Sequence, residues 1–127
     1  MNKTLLCDTC VIIDLINEND LLLSKLLKEE HFTLFVNSII EMELLQGVHN
    51  KQELKKVEQK LTLFHRLEIN QDILETATDL VKQYSLSHQL KLADAIIAAT
   101  AMTYDVPFYT YNKRDFRYFS GIRLWAH

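Results

Sequence analysis

The amino-acid sequence predicts an α/β fold with a central, mainly parallel sheet of four to five strands and helices on both faces. Three observations predict it. Short apolar runs alternate with helical stretches from one end of the chain to the other. One Pro and two Gly in 127 residues are too few turn formers for a many-stranded β-sandwich. No linker, repeat or low-complexity tract breaks the alternation, so residues 1–127 read as one domain.

The elements follow in order. Residues 4–7 (TLLC) are a short apolar run ending at Asp8 and read as a buried strand. Residues 10–16 (CVIIDLI) open a helix, with Thr9 as N-cap. Residues 21–29 fit a second helix and residues 32–36 (FTLFV) a second strand. Ser38-Ile39-Ile40-Glu41 has the Ser-to-Glu spacing of a capping box and opens a helix that runs to Gly47. Residues 51–65 place Leu54, Val57, Leu61 and Phe64 at helical spacing. Residues 66–69 fit a third strand. Asp72 to Tyr84 fits a helix with Ile73, Ala77, Leu80 and Val81 inward. Residues 90–104 (LKLADAIIAATAMTY) form the most apolar helix, predicted to be the most buried. Residues 107–110 are a fourth strand and residues 122–124 a short fifth.

Composition narrows the function classes. Hydrophobic residues at 48% and charged residues at 24% are the balance of an ordinary globular chain. Asp8 and Asp14 interrupt the N-terminal apolar run, so it does not read as a signal peptide. No apolar stretch approaches the ~20 residues of a membrane span. Two Cys without a secretion signal predict a reducing cytoplasm. The net charge of −3 is not the basic footprint of a nucleic-acid binder, although Lys113, Arg114, Arg117 and Arg123 crowd the C-terminus.

The acids carry the chemistry. In a parallel sheet, sites form at the carboxyl ends of the strands. Asp8 follows the first strand inside the apolar stretch LLCDTCVII, where a carboxylate needs a partner, a metal or a capping role. Glu41 and Glu43 lie about 200° apart on their helix, so they face different ways. Glu41 belongs to the capping box, which leaves Glu43 for a site or for solvent. Asp94 is a poor helix former flanked by LKLA and AIIAATAM, and reads as a site acid or as an N-cap. Asp115 in TYNKRDF reads as a site acid or as a surface partner of Lys113 or Arg114. Asn112 beside it reads as polar support or as a turn residue. Asp14 reads as exposed. Several acids at one sheet edge repel unless a cation sits among them. All-oxygen ligation suits Mg²⁺ or Mn²⁺, which bind phosphates and activate water.

Four segments together resemble one family: Asp8-Thr9-Cys10, Glu43-Leu44-Leu45-Gln46-Gly47, Leu92 to Ala99 (LADAIIAA), and Thr110 to Phe116 (TYNKRDF). In order and spacing they are similar to the PIN-domain family, and within it to VapC-type toxins of bacterial toxin–antitoxin modules. The resemblance covers essentially the whole chain. It implies a three-layer α/β/α fold and a Mg²⁺- or Mn²⁺-dependent endoribonuclease. Asp8, Glu43, Asp94 and Asp115 match the family's acidic positions and would hold the metal. Thr110 and Asn112 would orient the site. Metal-assisted attack of water on the scissile phosphate would leave 5′-phosphate and 3′-hydroxyl ends. A homodimer and a VapB-type antitoxin, whose tail blocks the site, are also implied. RNA contact by the basic C-terminal residues, with Tyr109, Tyr111, Tyr118, Phe119 and Trp125 as stacking faces, stands beside core packing as their role.

Other readings make different demands. Cys7-Asp8-Thr9-Cys10 is a C-x-x-C at a strand-to-helix junction, the place of a dithiol oxidoreductase, but that reading leaves the other three acids unused. The same C-x-x-C gives zinc only two ligands, and none of the five His has paired ligand spacing. A receiver domain needs an acidic pair at the first strand end and a partner Lys, and neither is clear. A non-catalytic PIN-like module that binds RNA or protein remains the main alternative.

Overall fold

A computed structural model describes residues 3–17 and 19–126. His127, one of the five histidines, lies outside the described residues. Strands β1 (Lys3–Cys7), β2 (Phe32–Val36), β3 (His65–Arg66) and β4 (Phe108–Tyr109) form a single sheet in the order β3-β2-β1-β4. Every pairing is parallel. The chain steps outward from β1 to β3, then returns to add β4 on the far side of β1. The right-handed rule for parallel crossovers assigns the helices of the outward path to one face and those of the return path to the other. The strand order reverses between β1 and β4, and a parallel sheet opens a crevice at such a point.

Both paths have local causes. On the outward path, α1 (Thr9–Asn17) buries Val11, Ile12, Leu15 and Ile16, the i, i+1, i+4, i+5 face of an amphipathic helix. Asn19 caps α2 (Asp20–Ser24) by accepting the Leu22 N–H, and a π-helical turn, Lys25–Glu29, continues it. Asn37 caps α3 (Ser38–Gln46), and Asn50 caps α4 (Lys51–Leu61). On the return path, Asn70 caps α5 (Gln71–Tyr84), which packs along α6 (Leu92–Tyr104). The small residues Ala95, Ala98, Ala99 and Ala101 let α6 sit deep in the core. Asp105 ends α6 in the left-handed conformation with φ 52°, one that Asp tolerates better than most residues. That turn sends the chain into β4.

The expected α/β fold with a parallel sheet is present, with several boundaries moved. The helix expected over 51–65 stops at Leu61, and Phe64 reaches the core from the following turn. The third strand is two residues long and starts at His65. The helix expected from residue 90 begins at Leu92. The expected fifth strand is reduced to one parallel bridge, Phe108 to Leu124. Ser38 is the first helical residue of α3 and not its cap. The carboxamide of Asn37 accepts the Ile40 N–H at 2.9 Å, and an extended Asn one residue upstream occupies the capping position first. Glu41 therefore turns to Arg66, with contacts of 2.9 and 2.6 Å.

Candidate functional site

The carboxyl ends of β1, β2 and β4 share one edge of the sheet, and four segments bring an acid there. Asp8 follows β1 directly. Glu43 stands on α3, Asp94 in the first turn of α6, and Asp115 closes the 3-10 turn Lys113–Asp115 after β4. All four line one cavity of about 300 Å³. Acids more than a hundred residues apart in the sequence, Asp8 and Asp115, thus line the same cavity.

Asp8 is 7% exposed, and its carboxylate is fully engaged. The Thr9 N–H donates to Oδ1 at 2.9 Å. The Thr110 hydroxyl donates to Oδ2 at 2.7 Å, and the Cys10 thiol lies 3.6 Å from the same oxygen. Burial pushes the Asp8 carboxyl above its ordinary range, these hydrogen bonds pull it back, and the charge of Asp115 pushes it up again. Thr9 was expected as the cap of α1. It is instead the first residue of that helix, and its hydroxyl donates to Glu43 Oε1 at 2.7 Å. One threonine thereby joins two of the acids.

Asp94 sits third in α6, after Lys91 has taken the capping position without a side-chain hydrogen bond. A carboxylate in the first helical turn is favoured by the helix dipole, which answers why a poor helix former is tolerated there. Burial, then the charges of Asp8, Asp115 and Glu43, raise its carboxyl to about 6, with Lys91 opposing. That value records burial first and a crowd of like charges second. Thr110 is buried and also accepts the Asn112 N–H at 3.0 Å. The Asn112 carboxamide reaches Cys10 Sγ at 3.9 Å, at the outer rim. Asp14, expected to be exposed, is half-buried and accepts the Tyr111 hydroxyl at 2.5 Å.

Sequence reasoning did not single out Lys91 or Cys10 as cavity-lining groups. Cys10 was weighed as half of a dithiol. Cys7 is fully buried, and burial pushes both thiols above their ordinary range, opposite to what a reactive dithiol needs. Among the aromatics weighed as stacking faces, Tyr109 and Phe119 are buried, and Tyr118 is half-buried.

Among the described residues, no three acids, histidines or cysteines stand close enough to enclose an ion as they are arranged. Thr9 and Thr110 hold Glu43 and Asp8 in place of an ion. A closed protein cage is not what Mg²⁺ requires. It dehydrates reluctantly, keeps several waters, and binds through one or two carboxylates plus a phosphate. Oxygen donors, room for water and an Asp94 carboxylate without an ion pair among the described residues fit that chemistry.

Comparison with known proteins gives the family and the fold. The family model described as PIN domain matches residues 5–121. A chain of a toxin–antitoxin complex from Klebsiella pneumoniae is 30% identical, with 92% of this chain and 93% of that chain covered and a TM-score of 0.72. A chain of DNA-bound VapBC from Salmonella typhimurium is 22% identical, with 98% of both chains covered and a TM-score of 0.80. A chain of VapBC-1 from nontypeable Haemophilus influenzae is 18% identical, with 96% of both covered and a TM-score of 0.81. No curated protein sequence matches. With the family model spanning most of its length and the fold shared with chains of VapBC complexes, the chain belongs to the PIN-domain family.

Proposed function

We propose that this protein is a Mg²⁺- or Mn²⁺-dependent endoribonuclease of the VapC type, the toxin of a toxin–antitoxin pair. The observation that carries the reading is the convergence of Asp8, Glu43, Asp94 and Asp115 on one cavity at the carboxyl edge of a parallel sheet. Membership of the PIN-domain family, whose members are generally metal-dependent nucleases, supports it. The printed names of the similar structures are toxin–antitoxin or VapBC complexes, which supports a VapB-type antitoxin as protein partner. Action as a homodimer in the cytoplasm belongs to the same reading. No helix among the described residues is long and apolar enough to cross a membrane.

The residues divide the work. Asp8, Glu43, Asp94 and Asp115 would hold the divalent ion, which supplies charge for the scissile phosphate and lowers the pKa of an attacking water. Thr110 and the Thr9 N–H fix both oxygens of Asp8, so its carboxylate would be held in one orientation towards an ion. The Thr9 hydroxyl does the same for Glu43. Asn112 braces Thr110 through its backbone N–H. Attack of water at phosphorus breaks the bond to the 3′ oxygen and leaves 5′-phosphate and 3′-hydroxyl ends.

The test incubates the protein with total cellular RNA in Mg²⁺, in Mn²⁺ and in EDTA, beside Asp8→Asn and Asp94→Asn. Discrete cuts that need the metal and drop by about a hundredfold or more in both variants are expected, since lost support for metal ligands alone costs 10- to 100-fold. Cleavage that survives both substitutions sinks the assignment of the acids. RNA binding without cleavage under any condition points to a non-catalytic binding module.

A further inference from the structure

A second cavity, of about 470 Å³, adjoins the acid cavity and shares Lys91, Asp94 and Asp115 with it. Its remaining wall is of a different character. Arg114 and Lys91 bring two cations, both exposed, to the border of the acids. His88 and Tyr118 stack face to face, with ring centroids 4.0 Å apart and planes 13° apart. Tyr118 also packs on Tyr84 and Phe119, with ring centroids at 5.1 and 4.4 Å. His88 is the exposed ring of this aromatic cluster, and Tyr84 also meets it edge to face at 5.8 Å. Its Nδ1 is engaged by the Ser87 hydroxyl at 2.8 Å, and its backbone N–H donates to the Tyr84 carbonyl at 2.8 Å, so the ring is held.

We propose that this cavity is the subsite for the nucleotide next to the scissile phosphate of a single-stranded RNA, with His88 stacking on its base and Arg114 and Lys91 receiving its phosphate. The inference rests on the nuclease reading and deepens it. A held aromatic plane beside two cations is the minimal equipment for a nucleotide. Stacking accepts any base, and the cations follow the backbone. The position matters as much as the chemistry. A strand whose phosphate lies among the acids must leave through a neighbouring opening. Here that opening carries cations, which offset the repulsion between RNA and four carboxylates. Arg114 and Lys91 form no ion pair among the described residues, so both charges are available to a phosphate.

The test measures binding apart from cleavage. A short fluorescein-labelled single-stranded RNA of mixed sequence is titrated in EDTA against wild type, His88→Ala, His88→Phe and Arg114→Ala. Cleavage of the same RNA is then followed with Mn²⁺. Both side chains are exposed, so thermal midpoints are expected to match wild type. His88→Ala is expected to weaken binding about fivefold or more, the loss of one stacked base, while His88→Phe keeps it within about twofold. Arg114→Ala is expected to lower the salt dependence of binding by about one ion. In cleavage, the loss should appear in KM more than in kcat. Wild-type binding and KM in both His88→Ala and Arg114→Ala overturn the subsite, and leave the nuclease standing if Mn²⁺-dependent cleavage persists. No binding of the RNA by wild type also overturns it. Binding lost in the variants of a protein that cuts nothing supports the subsite and removes the nuclease.

Discussion

At the scale of single residues, the decisive question is how a buried carboxylate stays charged. Asp8 has only 7% of its surface in water, and burial pushes its carboxyl above its ordinary range. The Thr110 hydroxyl, at 2.7 Å, is the strongest of the groups that oppose this. Thr110→Val keeps the shape and removes the donor, so the Asp8 carboxyl must rise further. Metal ligands bind deprotonated, so metal affinity is then lost at a higher pH as the solution is acidified. The acid limb of the pH–activity profile is expected to move upward, and Mn²⁺ affinity near neutrality to fall about tenfold. Thr110→Ser, which keeps the hydroxyl, should titrate like wild type. An unmoved acid limb in Thr110→Val would show that the hydroxyl does not govern Asp8.

At the scale of elements, the site depends on how two acid-bearing helices are tied together. Asn37 is fully buried at the end of β2. Its Oδ1 caps α3, and its Nδ2 donates to Thr100 Oγ1 on α6 at 3.0 Å. Thr100 in turn donates to the Ile96 carbonyl. One side chain thus links the helix of Glu43 to the helix of Asp94. Asn37→Ala removes a cap and leaves a buried amide N–H unpaired, for a loss of about 2 kcal/mol in urea unfolding. A change below about 0.5 kcal/mol would mean that water replaces the side chain. Asn37 also shows where the sequence stops being legible. The pattern N-S-I-I-E offers two capping registers, and only the backbone chooses between them. Asp8 and Asp94 stood out because charge inside LLCDTCVII and LADAIIAA conflicts with burial, a conflict visible without coordinates. Asp115 sits in polar surroundings and Glu43 beside a second acid on its helix, and these two were marked only by the resemblance and by elimination. The bridge from Thr9 to Glu43 was not legible, since a threonine after a strand suits a cap equally well. The third strand and the pairing at 122–124 were legible as strands, but their extents, two residues and one bridge, were not. Two-residue pairings carry no periodicity, and they are imposed by neighbouring strands.

At the scale of the whole molecule, the carboxylates store a conflict that an ion can release. Asp94 has its carboxyl raised to about 6 by burial and by Asp8, Asp115 and Glu43, against an ordinary value of 3.8. The folded chain therefore holds this proton more tightly than the unfolded chain. Between those two values, stability falls as pH rises, because the folded state binds the extra proton. The contribution is full below about pH 4 and gone above about pH 6. In EDTA at pH 7.5, Asp94→Asn is expected to melt higher than wild type, by roughly 3 °C. That advantage should shrink towards pH 4. Adding Mn²⁺ reverses the order. An ion that binds only the folded state stabilises wild type by about 2.7 kcal/mol at about a hundredfold excess over its Kd. Asp94→Asn, with one donor and one charge fewer, should gain far less. Thermal melting across pH, with and without Mn²⁺, reads all four arms without any assay of cleavage. Equal gains in both proteins would mean that the ion binds away from these acids, and the convergence of the four carboxylates would then need another cause.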